Sequence, residues 1–114
     1  MAYNRLIPFN RQGIVGLETI EAKLENGNLI FFFEAHPYVN TPFNGLLLIH
    51  LKTPAPTGIT GNEPIFFETR GLTGTRKAVT KAGGGALIAS DVTIPSYSLF
   101  FYDFRSSAVV EKIN

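Results

Sequence analysis

Apolar and polar residues alternate with a period of two along much of this chain, and no stretch holds the 3.6-residue period of a convincing helix. Between Ile14 and Leu24 the alternation sets Ile20, Ala22 and Leu24 against Glu21 and Lys23, the pattern of a half-buried strand. Gly16-Leu17-Glu18-Thr19, its first half, reads as a separate short strand or a bulge. Glu25-Asn26-Gly27-Asn28 follows, and Asn-Gly suits a type I′ turn because both central positions need positive φ. Leu29 to Ala35 is the return strand, so residues 19–35 form the best hairpin in the chain, ended by Pro37.

Leu46 to Lys52 is a β-rich run expected to be central and buried on both faces for most of its length. Pro54 to Asn62 is a long turn-rich loop, and Ile65 to Thr69 a strand with Pro64 at its permitted first position. Arg76 to Lys81 reads as a more polar strand on an edge, with Lys77, Lys81 and Pro64 guarding against unwanted pairing. Gly83-Gly84-Gly85 breaks the chain, and Ala86 to Val92 forms one short strand or a single helical turn. Ser96 to Phe104 is a strong strand, and Ala108 to Ile113 the last, after a turn at 105–107. Seven or eight short strands, with turn signals about every 8–12 residues, mark an antiparallel sandwich or small barrel. The expected fold is all-β: a single antiparallel β-sandwich, Ig-like or jelly-roll-like, over residues 13–114, preceded by an extended N-terminal arm over 1–12.

Composition narrows this picture. A length of 114 residues fits one domain, and a charged fraction of 17% against 45% hydrophobic residues excludes a disordered chain. The absence of cysteine excludes a disulfide-stapled scaffold and a thiolate metal site. A net charge of +1 gives no general attraction to polyanions, and no apolar run approaches the roughly 20 residues of a membrane span. Ten phenylalanines and a mean hydropathy of +0.13 on so small a body point to apolar surface meant for a partner.

No constellation announces a reaction. There is no Gly-x-Ser-x-Gly elbow, and the two histidines, His36 and His50, read as loop and strand-face residues. Asp91 and Asp103 are the only aspartates, and Asp103 reads as a turn-former. The glycine-rich pieces at 71–77 and 82–86 lack the Gly-Lys-Ser/Thr ending of a phosphate loop. Arg70, Arg76, Lys77 and Lys81 form the one local charge bias, with no acid between Glu68 and Asp91, and read as a solvated edge or a protein contact. An enzyme is not expected, and no catalytic, cofactor or metal residues are assigned. Neither a membrane nor a nucleic acid is expected as a partner.

The second half has a cadence: Phe43-Asn-Gly-Leu-Leu-Leu-Ile-His-Leu-Lys52, then Pro56-Thr-Gly-Ile-Thr-Gly-Asn-Glu-Pro-Ile65, Lys77-Ala-Val-Thr-Lys81, Ala86-Leu-Ile-Ala-Ser-Asp-Val92 and Tyr97-Ser-Leu-Phe-Phe-Tyr-Asp103. Over roughly residues 43–104 this resembles small β-domains of tailed-bacteriophage virion proteins, of the head-decoration and fibre types. The resemblance implies a non-enzymatic structural protein, assembled into the virion in the host cytoplasm as an auxiliary or decoration protein of a phage capsid. Its partners would be the major capsid protein or other virion subunits, with a homo-oligomer possible. The alternatives are a head- or tail-fibre or collar module and, in another class, a carbohydrate- or ligand-binding β-sandwich. Candidate partner contacts are Tyr3, Arg5, Phe9 and Arg11 in the arm, Tyr38 and Phe43 in the 37–44 loop, Ile59 in the 54–62 loop, and Arg70, Arg76 and Lys77.

Overall fold

The Asn26-Gly27 turn forms as its chemistry dictates, with φ of 51° at Asn26 and 78° at Gly27. It joins β1 (Val15–Glu25) to β2 (Asn28–Phe33), with Glu25 directly opposite Asn28. A computed structural model describes residues 15–34, 44–71, 76–103 and 109–113. The expected arm, most of the 37–44 loop and the 105–107 turn lie outside the described residues. The remaining strands are β3 (Asn44–Leu51), β4 (Ile65–Thr69), β5 (Lys77–Thr80), β6 (Ser96–Asp103) and β7 (Val109–Lys112).

All-β is the observed class, but the sheet closes on itself. The strands run β1-β2-β4-β5-β7-β6-β3 around a barrel, and β3 pairs back to β1. The β1–β3, β2–β4 and β5–β7 pairs are parallel and the other four antiparallel, so the expectation of an antiparallel sandwich is corrected on both counts. Side chains alternate in the same way beside a parallel or an antiparallel neighbour, so periodicity carries no information about partner direction.

Closure runs through β1. The register shifts between Thr19 and Glu21, a bulge that separates two roles. Val15 to Glu18 pairs with β3, and Thr19 to Glu25 pairs with β2. Thr19 at the corner is fully buried. Its Oγ1 accepts the backbone N–H groups of Lys52 (3.1 Å) and Thr53 (3.2 Å) and lies 3.0 Å from the Thr53 hydroxyl. The bend of one strand is thereby bonded to the end of another.

Closure also corrects the edge assignment. β5 lies between β4 and β7, so Lys77, Lys81 and Pro64 guard no open edge. Pro64 instead forms a bridge with Ile88, and its carbonyl accepts the Leu29 N–H. The 86–92 segment is neither a full strand nor a full helix. It makes isolated bridges at Ala86 and Ile88 and a short 3-10 turn at Ala89–Asp91, and it sends Leu87 into the core.

Inside the barrel, Phe31, Phe33, Leu47, Ile49, Leu51, Ile65, Phe67, Phe100 and Tyr102 form one cluster. Phe67 is its hub, edge-on to Phe33 (5.1 Å), Phe100 (5.3 Å) and Phe31 (6.3 Å). The strand buried on both faces is β2, not β3. On β3, Leu47, Ile49 and Leu51 point inward, while Leu48 on the opposite face is 39% exposed.

Phe67→Ala is expected to cost about 3–5 kcal/mol, because one truncation removes three ring contacts and leaves a cavity. Thr19→Val keeps the shape but strands two N–H groups, and about 1–3 kcal/mol is expected. Chemical denaturation followed by circular dichroism measures both, and a loss under 0.5 kcal/mol at either site would contradict its assigned role.

Candidate functional site

The two walls of the barrel carry different chemistry. On the first, Glu21, Lys23 and Glu25 of β1 point outward, as do Phe66 and Glu68 of β4. Arg76 Nε donates to Glu68 Oε1 (2.7 Å) and its Nη2 to Glu25 Oε1 (3.2 Å). Arg70 Nη2 reaches Glu21 Oε1 at 3.4 Å. Since β2 lies between β1 and β4, these guanidinium groups reach across its outer face, where Ile30 and Phe32 are buried. Lys23 Nζ also sits 5.6 Å from the Phe32 ring centre. This cover is what buries β2 twice over.

The same contacts revise the charge bias seen in sequence. Topology brings Glu21 to Arg70, and Glu25 and Glu68 to Arg76. The hydrogen bond to Glu68, with the charges of Glu68 and Glu25, raises the Arg76 pKa above its ordinary value. Of the other contact candidates, Lys77 is half-buried in β5, and Ile59 is half-buried and packs against the core. Tyr3, Arg5, Phe9, Arg11, Tyr38 and Phe43 lie outside the described residues.

The other wall is apolar. Strand register sets Leu46 beside Phe101, Leu48 beside Leu99, and His50 beside Tyr97 on the outer face of β3 and β6. Gly16 of β1 lies next to Leu48, and the Ile113 N–H bonds the Leu99 carbonyl at 2.8 Å. Tyr97 is 67% exposed, Ile113 43% and Leu48 39%, and Leu46, Leu99 and Phe101 are half-buried between them. Exposed apolar patches of this kind on small bodies are where interaction surfaces are commonly found. The signal in the sequence is that β3 and β6 carry apolar residues at both parities, a pattern that fits an exposed apolar face as well as the double burial expected of the Leu46 to Lys52 run.

One end of this face is polar. The His50 and Tyr97 rings stack at 4.2 Å with an 8° interplanar angle. His50 Nδ1 lies 3.9 Å from Glu18 Oε2, and Lys52 Nζ donates to Glu18 Oε1 at 3.1 Å. The stack fixes Tyr97 despite its exposure, the property of an anchor residue. His50 thus stands on the strand face, with no nucleophile among these contacts.

Elsewhere the polar groups serve the fold. Among the described residues, no group of three or more His, Asp or Glu side chains is placed to hold a metal ion. Gly83 N–H is taken by Glu111 Oε2 (3.1 Å) and Gly84 N–H by the Lys81 carbonyl (2.9 Å), so these donors in the triple-glycine turn are already bonded.

Glu63, which sequence reasoning passed over, is buried. Its carboxylate accepts the Thr60 N–H (2.7 Å), the Thr60 hydroxyl (2.9 Å) and the Gly61 N–H (2.9 Å). Its carbonyl accepts the Ala89 N–H, tying the 54–62 loop to the 86–92 segment. Led by the Thr60 N–H bond, these contacts hold its pKa down from 4.5 to about 2, against the opposing effect of burial.

A folded-state pKa below the unfolded one stabilises the fold above the unfolded value, and that contribution is lost as pH falls through the folded value. Glu63→Gln is therefore expected to be less stable than wild type at neutral pH, with the difference shrinking between pH 4.5 and about 2. Denaturation midpoints measured across that window check it, and a difference independent of pH would remove Glu63 as the cause. No family model, curated protein or solved structure matches the chain.

Proposed function

We propose that this protein is a non-enzymatic structural subunit of a virion, an auxiliary or decoration protein on a tailed-phage shell. The observation that carries the assembly reading is the apolar outer face of β3 and β6, with Ile113 just beyond β7, exposed on a body whose other wall is covered by ion pairs. Among the described residues the closed barrel presents no open strand edge for association, so contact falls to faces and loops. The virion part rests on the resemblance over residues 43–104. Repetition on a symmetric shell makes modest individual contacts sufficient through multivalency. A fibre or collar module fits the same face, and sizing in solution separates it as a trimer.

A ligand-binding reading is favoured by one observation, the exposed Tyr97 ring beside Glu18 and Lys52. Strong, saturable signals on a glycan array would support it.

Virus-like particles banded on a density gradient from a lysate of the producing cells test the main proposal. The chain is expected to co-migrate with the particles in stoichiometric amount by immunoblot. Leu48→Asp, verified as folded, is expected to drop into the soluble fraction. Wild-type chain confined to the soluble fraction overturns the virion assignment.

A further inference from the structure

The β1–β2 hairpin carries chemistry that neither the core nor the apolar wall uses. Asn-Gly occurs twice in the chain, at Asn26-Gly27 and at Asn44-Gly45. The fold treats the two pairs differently. Asn44 and Gly45 lie within a ladder, opposite Asp103 and Tyr102 of β6. Asn26 and Gly27 are exposed and follow the last rung of theirs, Glu25 opposite Asn28, so both stand outside the ladder. The geometry points to Asn26 as a site of spontaneous deamidation, with Asn44 spared by its strand.

Asparagine is among the thermolabile residues because its side-chain amide can be displaced from within the chain. The Gly27 backbone nitrogen gives its proton to solvent and attacks the Asn26 side-chain carbonyl carbon. A C–N bond forms and closes a succinimide ring. The bond from that carbon to the side-chain nitrogen breaks, and the nitrogen takes a proton from water and leaves as ammonia. Water then adds to either ring carbonyl and reopens the ring, giving aspartate or isoaspartate. The attack needs an uncrowded nitrogen and a peptide unit free to turn. Gly27 has no side chain, and apart from its chain neighbours no heavy atom lies within 4 Å of the place a Cβ would take. A solvated two-residue connection can turn its peptide unit. The Asn44–Gly45 unit cannot turn without breaking its pairing with β6.

Conversion alters the hairpin in two ways. A carboxylate appears next in the chain to Glu25, whose Oε1 accepts Arg76 Nη2 at 3.2 Å. The isoaspartyl product also routes the main chain through Cβ, which adds a carbon to the connection. Hairpin register follows from loop length and turn type. The unmodified turn satisfies both, with positive φ at Asn26 and Gly27. The lengthened one no longer sets Glu25 opposite Asn28, so the modified hairpin is less stable.

Peptide mapping by mass spectrometry, on full-length protein aged in warm, mildly alkaline buffer, tests this. Aspartate and isoaspartate are expected to accumulate severalfold faster at position 26 than at position 44. In guanidinium chloride, where no ladder shields Asn44, the two sites are expected to convert at similar rates. Asn26→Gly leaves a Gly-Gly pair, which also suits a type I′ turn, and removes the amide. That variant is expected to keep its denaturation midpoint on ageing, while the midpoint of wild type falls as isoaspartate accumulates. An Asn26 that stays intact in the folded protein, or equal conversion of Asn26 and Asn44 there, overturns the site. A midpoint unmoved by conversion overturns the loss of hairpin register.

Discussion

Everything in this barrel depends on one strand serving two neighbours. β1 leaves β3 and joins β2 within eleven residues, and the bulge after Thr19 supplies the turn. A strand that bends needs its corner held, and the corner is interior, where an unbonded polar group is costly. Thr19 meets both needs, since its small hydroxyl fits a fully buried site and accepts two backbone N–H groups at the end of β3. Without that corner the walls would have no shared strand on this side, and the expected sandwich would be the natural outcome.

Closure then decides how the surface is used. Among the described residues the ring of strands has no open edge, so in the proposed assembly contact falls to side chains on its faces. The walls divide that task. Over β2, long charged side chains from both flanking strands cover apolar residues and bond one another. Exposed pairs of this kind add little stability, about 0–1 kcal/mol each, so their main effect is to shield Ile30 and Phe32. Over β3 and β6 the outward residues are short aliphatics and rings, and part of their surface stays in water. Tyr97, fixed by its stack on His50, loses little freedom on contact and suits an anchor.

Much of this was legible along the chain. Asn26-Gly27 named its hairpin and turn type, because few residues accept positive φ at both positions. Ile65 to Thr69 matched its strand, because Pro64 and the alternating burial bound it on local grounds. The reading failed where one signal has two causes. Apolar residues at both parities of Leu46 to Leu51 meant double burial to the eye, yet the covered strand was β2. The difference lies in Arg70 and Arg76, which come from distant positions to roof one strand and leave the other bare. Glu63 escaped notice because its partners, Thr60 and Gly61, are ordinary loop residues until the loop folds back on it.

The sequence by itself determined the all-β class, the hairpin and nearly every strand, because period-two patterning and turn chemistry act over a few residues. Tertiary structure alone decided that the sheet closes, that three pairs run parallel, and which apolar face remains exposed. Those outcomes depend on contacts between distant residues, such as Thr19 with Thr53 and Arg76 with Glu25, and no local pattern encodes such a meeting. The excess of phenylalanine and leucine gave notice of exposed apolar surface, and the register of β3 against β6 gave its location.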